Sequence, residues 1–506
     1  MADIDTNTTL MAATTPTHTT LDENGHVRYG KMLIGGEWVD AADGRTFEAI
    51  YPGSGRTIAH VALAGEADVD RAVAAARTAF ESGPYTKMNG AARGRLLWKI
   101  ADLMEANIDE LAELETLNNG KPLLESRRVD LPQSIACFRY YAGWSGKTGG
   151  QTIEPDANAN AFAYTLREPL GVCGQIIPWN FPIQMATWKI APAVACGNTV
   201  VIKPAEQTPL SILRLGELMM EAGMPAGIVN IITGDGAGTG AALVRHPGVD
   251  KVAFTGSVEV GKAIMRSAAD SLKKVTLELG GKSPNIVFAD ADLEFAAKVA
   301  LSGIFFNQGE MCTAGSRILI ERSARDEFMS VLTSRAAKMT VGDPLDPATR
   351  MGSLVSRAQM ERVLGFIDKG KEEGAQLLTG GVRVGEEGYY VTPTVFGDVT
   401  NEMTIAQEEI FGPVAAVLTF DDVEEAAAIA NGTRFGLAAG VWTNDLKKAH
   451  RFARMVKAGT VWVNTYNMTD NALPFGGYKE SGFGRELGAA ALEAYTQTKT
   501  VWIDLN

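Results

Sequence analysis

Two residues of this chain, Cys312 and Glu278, could together carry out covalent catalysis. Cys312 lies in the segment FNQGEMCTAGSR (306–317), and Glu278 lies 312 − 278 = 34 residues upstream in LELGGK (277–282). A cysteine attacks as the thiolate, and its covalent adduct needs a group that activates water. Free cysteines are often only small buried hydrophobes, and most glutamates are solvated. The glycines beside both residues favour loops that approach a ligand, so we interpret Cys312 as a nucleophile and Glu278 as a base.

The elements around these residues would hold them at the ends of regular structure. Leu293, Ala297, Ala300 and Ile304 recur at helical spacing, which predicts a helix that ends near Gly309 with the cysteine just beyond it. The run 275–277 predicts a strand that ends at the glutamate.

Short β-branched runs alternate with helical patterns through the middle of the chain. We predict strands at 171–177, 199–203, 229–233 and 251–255 and a helix at 210–222. This alternation is typical of a parallel sheet with crossover helices, and it begins again after Gly280. The sequence therefore predicts an α/β fold with two Rossmann-like parallel-sheet domains, the second of which carries the cysteine.

Three further segments could bind a ligand, although each also has a structural explanation. Asn180 lies between two prolines, where its amide could stabilise an oxyanion or only its own turn. The segment GSVEVG (256–261) could bind a pyrophosphate at a helix N-terminus, but it is not GxGxxG, and a tight turn is equally compatible. Lys203 and Glu206 follow a strand, at an edge where α/β sheets bind ligands, or they are solvated charges.

Composition restricts the class of protein. The 47 basic and 60 acidic side chains give a net charge of −13, which disfavours nucleic-acid and anionic-membrane partners. The four cysteines have no CxxC spacing, so we expect no metal site and a reducing, cytoplasmic location. The uncharged stretch 169–188 contains prolines and amides that argue against a membrane span.

Four motifs resemble the aldehyde dehydrogenase superfamily: FNQGEMCTAGSR, LELGGK, PWNFP (178–182) and EIFGP (409–413). The resemblance runs from about Met32 to Trp502. It implies Cys312 as nucleophile, Glu278 as water-activating base, and Asn180 with the Cys312 N–H as oxyanion donors. It also implies NAD as cofactor, bound by Ile177, Trp179, Lys203, Glu206, Gly236, Gly256, Ser257, Leu279, Glu409 and Phe411.

The same resemblance implies a largely apolar and aromatic substrate pocket, formed by Phe181, Met185, Trp188, Phe306, Met311, Thr313 and Phe475. This lining favours a medium-sized apolar or aromatic aldehyde such as phenylacetaldehyde. Betaine aldehyde or a semialdehyde is the alternative, although the loop 467–471 has no aromatic residue to cage a quaternary ammonium. A relative that transfers the acyl group to CoA would not need Glu278, and a non-catalytic protein would not need the whole set.

The domain organisation follows from these assignments. We predict a mobile tail at 1–30, an NAD-binding domain at 31–146 and 170–279, and a catalytic domain at 280–480. Segments 147–169 and 481–506 fit neither domain, and the resemblance implies a small β-arm used for oligomerisation. Strand edges that need partners predict a homo-oligomer, a dimer or a tetramer.

Overall fold

The structure is a computed structural model, and it describes residues 20–156 and 159–506. Its strands are β1 (Met32–Ile34), β2 (Glu37–Val39), β3 (Thr46–Tyr51), β4 (Arg56–Ala62), β5 (Thr152–Ile153), β6 (Ala161–Pro169), β7 (Val172–Ile176), β8 (Thr199–Lys203), β9 (Val229–Ile231), β10 (Lys251–Thr255), β11 (Lys274–Glu278), β12 (Pro284–Val287), β13 (Arg317–Glu321), β14 (Gln376–Thr379), β15 (Arg383–Val384), β16 (Tyr390–Val391), β17 (Thr394–Gly397), β18 (Val414–Phe420), β19 (Ala438–Trp442), β20 (Thr460–Val463), β21 (Gly482–Phe483) and β22 (Thr496–Asp504).

The α-helices are α1 (Glu66–Glu81), α2 (Gly90–Ala106), α3 (Ile108–Asn119), α4 (Leu123–Glu125), α5 (Leu131–Trp144), α6 (Pro182–Ala195), α7 (Leu210–Glu221), α8 (Ala241–Arg245), α9 (Val258–Ala269), α10 (Leu293–Phe305), α11 (Arg325–Ala336), α12 (Arg357–Glu372), α13 (Thr404–Gln407), α14 (Val423–Asn431), α15 (Leu446–Met455) and α16 (Ala490–Ala494). Among the described residues, no helix is both long and apolar enough to cross a membrane.

The first large sheet has eight strands in the order β2-β1-β9-β8-β7-β10-β11-β21. The five strands from β9 to β11 are parallel, and β1, β2 and β21 join antiparallel at the two sides. The chain builds outward from β7 to β9 and then returns to add β10 on the other side. Parallel sheets of this kind bind ligands at such a switch point, beyond the carboxyl ends of the strands.

The second large sheet has seven strands in the order β14-β17-β18-β13-β12-β19-β20, all parallel except β14. The α/β fold with two parallel sheets is therefore confirmed. The chain leaves β11 at its carboxyl end and enters β12 after only residues 279–283. The carboxyl edge of the first sheet consequently faces the amino edge of the second, and the predicted site residues lie between them.

A third sheet has three antiparallel strands in the order β22-β6-β5. The two segments that fitted neither domain pair over nine residues, from Thr496 opposite Pro169 to Asp504 opposite Ala161. The predicted arm segment 481–506 also contains β21, which pairs with β11 in the first large sheet. The small antiparallel sheet therefore takes only the last part of that segment.

Residues 1–19 of the predicted tail lie outside the described residues. Within the rest of that segment, Val27 and Tyr29 are buried, and the Tyr29 hydroxyl donates a hydrogen bond to Glu110 Oε1 at 2.8 Å. The packed part of the chain therefore begins before residue 31, because these side chains fill a gap beside α3.

A buried ion pair joins the helices of the first domain to the strand-end loops. Lys121 follows α3, and its Nζ lies 2.6 Å from Asp130 Oδ2, with both side chains fully buried. The same Nζ donates to the backbone carbonyl of Asn180 at 2.8 Å. A charge buried this deeply needs its partner, because an unpaired ion in a low-dielectric interior is unfavourable.

We expect Asp130→Asn to lower the free energy of unfolding by about 3 to 5 kcal/mol, because it leaves the Lys121 charge unpaired. Asp421→Asn is a matched control that removes the partner of exposed Arg322 and should change the free energy of unfolding far less, because solvent screens that pair. Urea unfolding followed by tryptophan fluorescence measures both. Equal effects of the two substitutions would contradict the importance given to the buried pair.

Candidate active site

The predicted nucleophile and base lie in the gap between the two sheets. Glu278 is the last residue of β11, and the chain then turns through Gly280 and Gly281 toward β12. Cys312 lies in the loop between α10 and β13, on the amino side of the second sheet. A Cβ at Gly281 would stand 2.4 Å from the Cys312 carbonyl oxygen, so only glycine allows the two loops to approach this closely.

A tight left-handed turn positions Cys312 after α10. Asn307, Gln308 and Gly309 have φ values of 48°, 56° and 75°, which are uncommon for residues other than glycine. The turn is fixed by Glu125, whose Oε2 accepts a hydrogen bond from the Asn307 N–H at 2.9 Å. Backbone strain of this kind persists only where the surrounding structure holds it, and here it sets the direction of the cysteine loop.

The Cys312 thiol differs from the other three cysteines in access, although burial raises the pKa of all four thiols. Cys137, Cys173 and Cys196 are buried, whereas Cys312 keeps part of its surface accessible. Burial, with the nearby charges of Glu409 and Glu278, raises the pKa of the Cys312 thiol to about 12. Its own N–H and that of the next residue act in the opposite direction. The ligand-free site therefore keeps the thiol protonated at neutral pH.

Asn180 is held from both sides by groups that leave part of its amide free. Its side-chain Nδ2 donates to the Glu310 backbone carbonyl at 3.0 Å. Its backbone carbonyl accepts from Lys121 Nζ and from Asn307 Nδ2, each at 2.8 Å. An amide NH₂ has two donors, so one N–H remains for a ligand. The side chain is nearly fully buried, where a donor set in advance is most effective.

Glu278 is buried, and neither carboxylate oxygen has a hydrogen-bond partner among the described residues. Burial and the charge of Glu486 raise its pKa well above the usual range, opposed by Lys189 and Arg485. Lys189 contacts Glu486 in a buried ion pair and donates to Thr255 Oγ1 at 2.7 Å. Lys189 is thus engaged with Glu486, and its charge and that of Arg485 do not offset the burial of Glu278, so the neutral form of Glu278 is favoured.

The residues predicted to bind the adenosine half of a dinucleotide line the carboxyl edge of the first sheet. Lys203 ends β8, and its buried Nζ lies 3.5 Å from the half-exposed Glu206 carboxylate. Ser257 caps α9 by accepting a hydrogen bond from the Val260 N–H at 3.3 Å. A Cβ at Gly256 would stand 2.4 Å from the Phe254 ring, so the backbone can pass there only as glycine.

This strand edge brings together a carboxylate, a cation and a helix N-terminus, which are groups that can bind a dinucleotide. Ile177, Gly236 and Leu279 lie at the same edge, after β7, β9 and β11. A cleft of about 350 Å³ opens on the outer side of Glu206, and no other predicted cofactor residue lines it. The cleft is therefore next to the predicted cofactor site and not at the reacting groups.

Glu409 and Phe411 come from the second domain and close the other side. Glu409 Oε1 accepts a hydrogen bond from the Gly281 N–H at 2.9 Å, and burial raises the pKa of this carboxyl to about 7. A Cβ at Gly280 would stand 2.0 Å from Glu409 Oε2. Phe411, with φ 59°, meets the Trp179 ring edge-on at 5.0 Å between ring centroids. The two domains thus contribute opposite walls of one site.

The residues predicted to line the substrate pocket include two pairs of aromatic rings in contact. Phe181 stacks on Phe306 at 6.2 Å, and Trp188 meets Phe475 at 5.3 Å between ring centroids. Beside the cysteine, the Met311 sulfur accepts from Asn467 Nδ2 at 3.2 Å. The neighbouring Thr313 hydroxyl donates to Asn467 Oδ1 at 3.0 Å. Met185 lies on the same helix face as Trp188, and both keep slight exposure.

The sequence alone did not identify the charged residues that lie behind the reacting groups. Lys189 could have indicated them, because a lysine inside the buried helix α6 needs an acidic partner. That acid, Glu486, is 297 residues away in sequence, and no local pattern points to it. Among residues 20–156 and 159–506, no group of three or more His, Cys, Asp or Glu side chains is placed to hold a metal ion.

Comparison with known proteins agrees with this geometry. The model of the aldehyde dehydrogenase family matches residues 38–501. An aldehyde dehydrogenase of Emericella nidulans is 54% identical over 471 residues, covering 93% of this chain and 94% of the relative. The NAD+ complex of an aldehyde dehydrogenase from Bacillus cereus superposes with a TM-score of 0.93 at 51% identity, covering 94% of this chain and 96% of that one. The indole-3-acetaldehyde dehydrogenase AldA of P. syringae, solved with NAD+ and IAA, gives 0.92 at 47% identity, covering 94% and 97%.

The raised thiol pKa predicts how Cys312 reacts in the ligand-free protein. Because only the thiolate reacts, alkylation by iodoacetamide should accelerate about tenfold per pH unit from pH 7 upward, without a plateau below pH 10. Glu409→Gln should accelerate it at a given pH, since one negative neighbour is lost, whereas Glu402→Gln at an exposed site should not. Mass spectrometry of the labelled peptide measures the rate, and a plateau near pH 8 would contradict the assignment.

Proposed function

Because the chain belongs to the aldehyde dehydrogenase family, we propose that the site around Cys312 oxidises an aldehyde to its carboxylic acid with NAD as cofactor. The roles of individual residues are supported by one observation. Three groups lie in the same gap: the Cys312 thiol, a free amide donor on Asn180 and an unpaired carboxyl on Glu278. These are the nucleophile, oxyanion donor and base that acyl chemistry requires.

The first step is attack of the Cys312 sulfur on the aldehyde carbon. The thiol must lose its proton, and the Glu278 carboxylate, in its ionised form, is the nearby group that can take it. Moving the proton from the thiol to the carboxylate shifts one negative charge from oxygen to sulfur and does not create a new ion pair. The carbonyl oxygen then becomes an oxyanion, to which the Asn180 amide and the Cys312 N–H donate.

NAD fits the donor set described above and, when bound, supplies the hydride acceptor. Lys203 and Glu206 would hold one ribose, the N-terminus of α9 with Ser257 the pyrophosphate, and Glu409 the other ribose. Phe411 and Trp179 would form an apolar wall that keeps water away. Loss of hydride from the carbon bound to sulfur leaves a thioester on Cys312.

Glu278 completes the cycle by activating water. A carboxylate with a raised pKa is a better base than a solvated one, and burial raises the pKa of Glu278 here. Water attacks the thioester, Glu278 takes its proton, and the carboxylic acid leaves with the sulfur restored. A CoA-dependent relative would not need this base, so we assign the hydrolytic reaction.

The pocket favours an apolar or aromatic aldehyde, phenylacetaldehyde among others. Four aromatic rings form the pairs Phe181 with Phe306 and Trp188 with Phe475, and they belong to or pack against the hydrophobic cluster against which Cys312 packs. Such rings bury a flat apolar body at little cost in side-chain entropy. A steady-state screen of about a dozen aldehydes would test this preference, and charged short-chain aldehydes as the best substrates would contradict it.

We also propose a homo-oligomer and a cytoplasmic location. The three-stranded sheet has two open edges, β5 and β22, and exposes Ile153, Phe162 and Trp502. Edges of this kind pair readily with another copy. Light scattering at micromolar concentration should give at least a dimer mass, and a monomer would contradict it.

Four cysteines without a disulfide are compatible with the reducing cytoplasm.

Substitution of the two reacting residues should stop different halves of the reaction. Cys312→Ala should form no NADH, because no adduct forms that can lose hydride. Glu278→Gln should slow thioester hydrolysis most, since water loses its base. Rapid mixing of this variant with NAD and aldehyde should give up to about one NADH per site and then a slow phase.

Intact mass measurement should detect the acyl adduct on Cys312 in the Glu278→Gln variant. If Glu278 also deprotonates the thiol, the burst becomes slower but the adduct still accumulates. Normal turnover in Glu278→Gln would contradict its role, and an adduct on Cys137, Cys173 or Cys196 would contradict the choice of nucleophile.

Cofactor choice should depend on Glu206. Its carboxylate would accept from ribose hydroxyls and repel a 2′-phosphate, so Glu206→Gln should raise the NADP to NAD ratio of kcat/KM roughly tenfold. Glu221→Gln, an exposed glutamate at the end of α7, is the matched control and should leave the ratio unchanged. An unchanged ratio in Glu206→Gln would remove this residue from the cofactor site.

A further inference from the structure

One face of helix α6 carries a polar residue among the aromatic ones. Nearly every side chain of this helix is completely buried, but Gln184, Met185 and Trp188 keep 6%, 8% and 5% of their surface. Phe181, just before the helix, keeps 6%. Residues three and four apart lie on the same face of a helix, so Gln184 stands between Phe181 and Trp188. The partly accessible face of α6 is therefore the one that carries the predicted pocket residues, and Gln184 belongs to it.

Gln184 is part of a cluster of uncharged polar side chains from three elements. Its amide donates to Gln133 Oε1, on α5, in a short hydrogen bond. The Thr469 hydroxyl donates to the same oxygen at 3.3 Å, and Asn471 Nδ2 reaches the Gln133 carbonyl at 3.5 Å. Gln133, Thr469 and Asn471 are all partly exposed, so the cluster lies toward solvent from the aromatic rings.

The hydrogen bonds within the cluster do not use all of its polar groups. Gln133 Nε2 and Gln184 Oε1 have no partner among the described residues, which leaves donors and an acceptor side by side. On the same wall, the buried indole N–H of Trp188 also lacks a partner. A buried donor without an acceptor is unfavourable, and a ligand or water normally satisfies it.

The loop 467–471 connects this cluster to the cysteine. Asn467 contacts Met311 and Thr313, the two neighbours of Cys312, and Thr469 is two residues further along. Two residues span at most about 7 Å, so the backbone of Thr469 lies within about that distance of Asn467, which itself contacts both flanks of the cysteine. An aldehyde carbon at Cys312 and a polar end group at Gln133 would thus be separated by the aromatic part of the pocket.

We propose that Gln133, Gln184 and Thr469 form a terminal subsite that selects aldehydes with an apolar or aromatic body and a neutral hydrogen-bonding group at the far end, such as a hydroxyl. This inference rests on the proposed aldehyde oxidation and specifies its substrate class. A hydroxyl both donates and accepts, which matches the free amide groups of the two glutamines. The three side chains of the subsite are two amides and a hydroxyl, all uncharged, and Asp470 follows Thr469 in the same loop, which favours a neutral end group over a carboxylate.

The test compares two aldehydes that differ by one hydroxyl, phenylacetaldehyde and 4-hydroxyphenylacetaldehyde. In the unmodified protein, kcat/KM for the hydroxylated aldehyde should be about tenfold higher, since each added hydrogen bond to a buried polar group gives a factor of this order. The double variant Gln133→Leu/Gln184→Leu, which keeps side-chain size, should reduce this ratio to below about two. Gln376→Leu, at an exposed position on β14, is the matched control and should leave the ratio unchanged.

Each outcome of this experiment bears on the proposal. A ratio near one in the unmodified protein, or a ratio that the double variant leaves unchanged, would overturn the subsite. If the double variant does not fold, Thr469→Val gives the same test, with an expected loss of about threefold in the ratio. Preference for an aldehyde with a terminal carboxylate would also overturn it. Absence of NADH formation with any aldehyde would instead contradict the proposed function itself.

Discussion

The removal of ionisable groups from water at the junction of the two sheets is the constraint on which the site depends. Burial raises the pKa of the Cys312 thiol to about 12 and that of Glu409 to about 7, and it raises Glu278 well above its usual range. It also lowers the pKa of Lys282 to about 7. In each case the neutral form is favoured. The ligand-free site therefore holds protons that chemistry can move, and few fixed charges.

Close approach of backbone segments makes this desolvation possible. Gly280 and Gly281 let the chain cross from one sheet to the other in contact with Glu409 and Cys312. The same crossing aligns the carboxyl edge of the first sheet with the amino edge of the second. Residues far apart in sequence, such as Lys189 and Glu486, then meet behind Glu278. The arrangement of the sheets thus sets the electrostatics of the reacting groups.

Local patterns predicted the elements well, because short β-branched runs bounded by glycines leave little choice of structure. Predicted strands 199–203 and 251–255 match β8 and β10 residue for residue, and Glu278 ends β11 as expected. Long-range relations could not be predicted in this way. Three relations depend on segments that only the fold brings together. They are the opposition of the two sheet edges, the pairing of Lys189 with Glu486 and the polar cluster at Gln133. Val27 and Tyr29 are buried, although they lie in the predicted tail. Two apolar side chains are too weak a local signal to predict this packing.

The central claim is that burial raises the pKa of Glu278 well above that of a solvated carboxyl, and infrared difference spectroscopy tests it most directly. Spectra of the unmodified protein and of Glu278→Gln, compared from about pH 5 to pH 9, isolate the carbonyl stretch of a protonated carboxyl at this position. Burial beside Glu486 predicts that this band persists to a pH well above the one at which a solvated glutamate ionises. A spectrum in which the band is already absent at pH 6, so that Glu278 is ionised as in water, would contradict the account.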